Sequence, residues 1–154
     1  MPRTWRITKA KYAGSAFDGE GARLYGGRWS SPGTRVVYVA DSLALATLEV
    51  LVHLQHPPTL AEYVVFSVDF PDKSVKELAD ADLPANWRQS PSPPENQSIG
   101  DAWARRGRSL ALRLPSVITI HEYNYLLNPE HPDFRRVKIS KPVPWDVDPR
   151  VFGR

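Results

Sequence analysis

The side chains best suited to chemistry gather in one stretch, from Tyr25 to His56 (YGGRWSSPGTRVVYVADSLALATLEVLVHLQH). Arg28 follows the Gly26-Gly27 pair, Tyr38 sits inside a β-branched run, and Glu49 interrupts an apolar segment. A guanidinium presents paired donors to phosphate or carboxylate oxygens. A carboxylate among apolar neighbours can face a developing positive charge. Ser42, Glu49, His53 and His56 fall on one narrow stripe at helical spacing. Two readings of the stripe stay open. One is a solvated face on which Glu49 and His53 form a weak pair four residues apart. The other is a carboxylate held rigidly at the edge of a cleft.

Rival chemistries find less support. A zinc site on His53 and His56 would need a third ligand from His121, His131 or an acid, and no HExxH segment occurs. Ser116 lacks the GxSxG elbow of a serine hydrolase, and no histidine or acid partner can be assigned to it. Gly19-Glu20-Gly21 lacks the third glycine of a dinucleotide fingerprint, and no GK[ST] phosphate loop is present. A bound nucleotide would therefore have its phosphates held by side chains. Two basic runs (Arg105, Arg106, Arg108, Arg113 and Arg135, Arg136, Lys138, Lys141) contain no aromatic-rich recognition signature. They read as solvated surface, so direct nucleic-acid binding is not expected.

The neighbouring elements must position these groups. Thr4 to Lys9 alternates as an opening strand, with Trp5 and Ile7 on one face and Arg6 and Thr8 on the other. Tyr12 to Arg23 reads as a loop. Ser31-Pro32-Gly33 suits a type II turn, and Thr34 to Ala40 a short strand. Asp41 or Ser42 caps a helix from Leu43 to Gln55, apolar on most sides and so expected against a sheet. His56-Pro57-Pro58 stops that helix. Leu60 to Phe70 is the clearest strand, with Val64, Phe66, Val68 and Phe70 on one face. Beyond it a short helix is expected over Ser74 to Ala81, then a proline-rich loop from Leu83 to Glu95 able to serve as a flap. A helix from Asn96 or Ser98 to Arg106 precedes a strand from Ser109 to Ile120, bent at Pro115-Ser116. Asn124 to Pro132 reads as a loop, Phe134 to Ser140 as a closing strand, and Lys141 onward as a surface tail.

Composition bounds the class. At 154 residues, 42% hydrophobic and 24% charged, the chain suits one domain, 1–154, with a real core. No apolar run is long enough to cross a membrane. MPRTWRITK lacks a signal peptide's apolar segment, so a cytoplasmic location is the default expectation. The absence of cysteine excludes disulfides, thiolate nucleophiles and cysteine metal ligands. A net charge of +3 permits an acidic partner or ligand without demanding one.

The order GGRW, strand tyrosine, glutamate in an apolar helix, then Leu114-Pro115-Ser116 and Asn128-Pro129, resembles the RES-domain proteins, toxins of RES–Xre toxin–antitoxin pairs. The resemblance spans nearly the whole chain. It implies an α+β fold similar to the ADP-ribosyltransferases, with two curved, mostly antiparallel sheets around a cleft and helices flanking it. It implies breakdown of NAD+ at the nicotinamide–ribose bond, with NAD+ as substrate and no separate cofactor or metal. It also implies a cognate Xre-type helix-turn-helix antitoxin as partner.

By the same resemblance Arg28, Tyr38 and Glu49 are catalytic. Glu49 would stabilise the oxocarbenium-like ribose, hold a ribose hydroxyl and orient the attacking water. Arg28, with Arg6, would grip the pyrophosphate, and Tyr38 would stack on or hydrogen-bond near the nicotinamide. Ser116 would be a polar ligand contact. Asn128 completes the substrate-binding set, with a turn-capping role before Pro129 as its alternative. Ser30 stands where the family often carries asparagine. The acceptor (water, phosphate or a protein) and the assembly state, a homodimer included, are left open. ADP-ribosyl transfer and a non-enzymatic binding module are the alternative functions.

Overall fold

Eight strands join in one sheet in the computed structural model, which describes residues 2–54 and 59–153. They are β1 (Arg3–Lys9), β2 (Val37–Ala40), β3 (Tyr63–Asp69), β4 (Val75–Glu77), β5 (Ala111–Pro115), β6 (Tyr123–Leu127), β7 (Lys138–Ile139) and β8 (Val143–Pro144). The order is β4-β5-β6-β2-β1-β3-β7, with β8 also against β3. β4 and β5 run parallel, and the other pairs are antiparallel. Two sheets were expected, and among the described residues there is one. Its two halves meet at a narrow seam: β1 and β2 share a single register pair, Trp5↔Ala40, while β1 and β3 pair over seven residues. That seam is where the site forms.

Side-chain alternation sorts the sheet into two faces. Val37 and Val39 of β2, Phe66 and Val68 of β3, and Tyr125 and Leu127 of β6 pack with Ala16, Phe70 and Leu110 in one core. The opposite face is covered by two helices, α2 (Leu43–Leu51) and α3 (Pro94–Arg106). α2 seats Leu45 and Ala46 against Ala40, with Trp5 and Ile7 beside them. Burying Leu45 completely contributes about 1.5–3 kcal/mol and holds the helix down. α3 packs through Trp103 with Trp29, Leu112, Leu114 and Leu126. A cleft opens between the two covered regions.

Several elements differ from expectation, each for a local reason. α2 ends at Leu51 rather than Gln55, with Ser42 as its cap, accepting from the Leu45 amide at 3.0 Å. It buries Leu45, Ala46 and Thr47 while Leu48 and Val52 remain exposed, so its apolar circumference overstated its burial. His53 lies beyond the helix, and His56 with the Pro57-Pro58 stop lies outside the described residues. Tyr12 to Arg23 contains part of a 3-10 turn and most of a short helix, α1 (Glu20–Tyr25). Residues 75–77 form the edge strand β4, where a helix was expected.

The largest correction is β6. Asn124 to Pro132 was expected to be a loop, yet β6 lies between β5 and β2. Tyr125, Leu126 and Leu127 are all buried, so the strand shows a short apolar run and no alternation. The closing strand shrinks to Lys138–Ile139, because Pro132–Arg136 turns as a 3-10 helix. The tail is not all surface: Trp145 is buried, 5.3 Å from the Tyr63 ring.

Candidate active site

Glu49 sits in the last turn of α2, half-buried and facing the seam. Its Oε1 accepts from Asn124 Nδ2 at 2.8 Å and from Ser116 Oγ at 3.2 Å. The Ser116 hydroxyl itself accepts from the amides of Ile118 and Thr119. Its single proton is therefore directed to Glu49. Among the described residues Oε2 has no hydrogen-bond partner, so one carboxylate oxygen is tied and the other is presented to the cleft. The bend expected at Pro115-Ser116 is what aims Ser116, since β5 stops at Pro115. Ser116 is fully buried, and its neighbours Pro115, Val117 and Ile118 line the cleft instead.

Tyr38 lies on the cleft face of β2 and anchors the loop that carries Arg28. Its hydroxyl contacts Ser30 Oγ at 2.7 Å and accepts from the Trp29 amide at 3.2 Å. Burial pushes its phenol up from the ordinary tyrosine value, so it stays neutral at physiological pH. Gly27 permits this approach, because a Cβ there would lie 2.5 Å from the tyrosine hydroxyl. Arg28 is held in turn by the proline-rich loop. Its Nη1 donates to the carbonyls of Trp87 at 3.2 Å and Gln89 at 2.7 Å, and its Nη2 to Ser90 Oγ at 3.1 Å. Ser92 Oγ returns a bond to the Arg28 carbonyl. The loop expected as a flap does border the cleft, through Ser90, Pro91 and Ser92.

Arg6 leaves β1 on the face opposite Trp5 and Ile7, as its place in the alternation requires. Its guanidinium donates to the Ala16 carbonyl at 2.8 Å and, across the seam, to the Tyr38 carbonyl at 3.0 Å. It also lies 5.9 Å from the Phe17 ring centroid. Desolvation lowers its pKa to about 10, with Asp18 opposing weakly, so it remains a cation at neutral pH. Among the described residues no carboxylate forms a salt bridge with it. A largely desolvated cation of this kind, bordering a cleft, favours an anionic ligand.

The cleft has a volume of about 890 Å³, within the range of small-molecule sites. Arg6, Arg28, Tyr38, Glu49 and Asn124 line it, and Trp5, Val50 and Ile118 supply apolar wall. Four of the six residues singled out in the sequence thus meet here, and Ser116 touches Glu49 from behind. Asn128 does not join them. It donates to the Ala104 carbonyl and accepts from the Glu130 amide, which makes it a turn-forming residue near the end of α3. Asn124 was missed altogether. Its signal was a polar residue within Tyr-Asn-Tyr-Leu-Leu, legible only once that segment is known to be a central strand.

Comparisons with known proteins show the family to which the chain belongs. The family model described as RES domain matches residues 3–148. The protein named Toxin Res from Yersinia enterocolitica is 39% identical over 148 residues, covering 96% of this chain and 97% of that protein. The Prs ADP-ribosylating toxin of a Sphingobium species is 38% identical over 155 residues, covering 97% and 96%. The NAD(+) phosphorylase MbcT of Mycobacterium tuberculosis is 34% identical over 111 residues, 65% of this chain and 57% of that protein. The crystal structure of the Mycobacterium tuberculosis MbcT–MbcA toxin–antitoxin complex contains a chain of similar fold, with a TM-score of 0.75 at 22% identity, covering 93% and 83%. With its family model matched over nearly its whole length, the chain belongs to the RES domain family.

Proposed function

We propose that this protein is the toxin of a toxin–antitoxin pair and cleaves NAD+ at the nicotinamide–ribose bond. The observation that carries the reading is Glu49, one oxygen tied and one presented, on the wall of a cleft shared with the cation Arg6. The nicotinamide of NAD+ is already positively charged, so it departs with the bonding electron pair and needs no acid to protonate it. One carboxylate therefore suffices where an ordinary glycoside requires two. Glu49 Oε2 faces the oxocarbenium-like ribose and opposes its charge. Water or phosphate then adds an oxygen lone pair to the anomeric carbon, and water gives up its proton to Glu49 or to solvent. Arg6 offers the pyrophosphate a charge that no carboxylate among the described residues holds in a salt bridge, and the family's ADP-ribosyltransferase-like architecture is part of the same reading.

Purified protein incubated with NAD+ tests this directly. Free nicotinamide should appear with ADP-ribose, or with its phosphorylated form when phosphate is supplied. Intact NAD+ after prolonged incubation would refute it. The name of the Sphingobium relative favours a second reading, transfer of ADP-ribose to a protein. Labelled NAD+ in cell lysate separates the two, since transfer leaves label on one discrete band.

Arg28→Lys should raise the KM for NAD+ about tenfold. Lysine keeps the charge, but its compact ammonium cannot reproduce the planar fork that reaches Trp87, Gln89 and Ser90 together. Losing one charge-assisted bond of about 1.5 kcal/mol is enough for that factor. Faster proteolysis within residues 84–93 should accompany it. An unchanged KM together with unchanged proteolysis would mean that the Arg28 fork does not hold this loop against the cleft.

The partner in this reading is a helix-turn-helix antitoxin that covers the cleft. Expression of the protein alone should stop growth, and co-expression of its cognate antitoxin should restore it. Normal growth of cells containing active protein and no partner would count against the toxin role.

A further inference from the structure

We infer that Asn124 is a positioning residue for Glu49, holding Oε1 so that Oε2 alone meets the ligand. The inference deepens the NAD+-cleaving assignment and rests on it for its kinetic consequences. A carboxylate in the last turn of a helix faces the negative end of the helix dipole. Glu49 occupies that position, so donors must come from outside α2. They come from β6 and from the residue after β5. Asn124 Nδ2 makes the shorter contact, at 2.8 Å, and Ser116 Oγ the longer, at 3.2 Å. A carboxylate only accepts, so the Asn124 side chain must present its NH₂ group here.

Asn124 itself is held by the sheet. It pairs in register with Ala40 of β2 and with Leu114 of β5, which places its amide on the same face as the cleft-lining residues of β2. The donor is therefore mounted on a central strand and not on a loop. Glu49 is bonded from two strand ends 67 and 75 residues away, and neither bond can follow if the carboxylate rotates. A misplacement of about 1 Å at a reacting group can cost ~10²-fold in rate.

The test compares Asn124→Leu and Asn124→Asp. Leucine removes the donor, and aspartate keeps the shape while turning a charge toward Glu49. Both should lower kcat about 10- to 100-fold with KM within about twofold, the pattern of a group that acts only in the transition state. In a Glu49→Gln background neither should cause a further loss, because the residue through which Asn124 acts is already disabled. Crystals of Asn124→Leu should show the Glu49 carboxylate in more than one rotamer. A raised KM at unchanged kcat, losses that multiply with those of Glu49→Gln, or a single unmoved Glu49 rotamer would each overturn the inference. Failure of the wild-type protein to cleave NAD+ would instead refute the functional assignment, and the crystal comparison would then decide the role of Asn124 alone. If Asn124→Leu does not fold, the aspartate variant carries both the kinetic and the crystallographic comparison.

Discussion

Glu49→Gln should lower kcat for NAD+ cleavage ~10²–10³-fold while leaving the fold intact, as for loss of one preorganised electrostatic group. The carboxamide has nearly the same shape, and its oxygen can accept the bonds from Asn124 and Ser116 that the carboxylate accepts now. Its NH₂ group would then face the ribose, a donor where an anion is required. Ground-state binding should change little, because the positive charge on the sugar develops only as nicotinamide leaves. The measurement is kcat and KM alongside a thermal melt, and an unchanged melting temperature shows that chemistry alone was removed. Turnover near that of the wild type in a well-folded variant would return Glu49 to the solvated-stripe reading.

Gly100→Ala should be the most destabilising single-methyl addition in α3. In an open helix the change would help, since alanine is favoured over glycine by about 1 kcal/mol. Here the added Cβ would lie 1.7 Å from the Trp29 carbonyl oxygen and 3.1 Å from Leu126 Cδ1. An ordinary carbon–oxygen contact is about 3.3 Å or more, so helix and loop must part by over an ångström. Overpacking of this kind costs about 1–3 kcal/mol and sometimes more, and the obstacle is backbone that cannot rotate away. The clash outweighs the propensity gain. Thermal unfolding should start on the order of 5–10 °C lower. Trp29 is buried in the α3 core and adjoins Arg28, so activity should fall too. An unchanged or higher melting temperature would mean that α3 does not lie against the Trp29 loop.

Local rules made part of this molecule legible. Alternation in Thr-Trp-Arg-Ile-Thr-Lys assigned Trp5 and Ile7 to one face and Arg6 to the other, and β1 obeys it because one face meets α2 and the other the core around Phe66 and Val68. Ser42 caps α2 because a short hydroxyl reaches an amide three residues on, a relation needing no tertiary partner. Pro115 ends β5 because proline lacks the ladder donor. The apolar helix around Glu49 misled by its length. Its exposed Leu48 and Val52 carry no signal separating them from buried Leu45, since residue type does not report which side of a helix meets the sheet.

The sequence by itself determined the inventory: a lone carboxylate within an apolar helix, a strand tyrosine, a glycine-flanked arginine, a β-strand arginine and a serine at a bend. Side-chain chemistry and short-range backbone preference suffice for each. Only the tertiary structure decided how they meet. It joined two expected sheets through one register pair and made Tyr123–Leu127 a central strand. It also turned Ser116 toward Glu49 and tied Arg28 to loop carbonyls about 60 residues away. Asn124 became a partner of Glu49 by the same route. The physical reason is common to all of these. A hydrogen bond across 67 or 75 residues depends on which strands pair and in what register, and that is set by burial over the whole sheet rather than by the residues that form the bond.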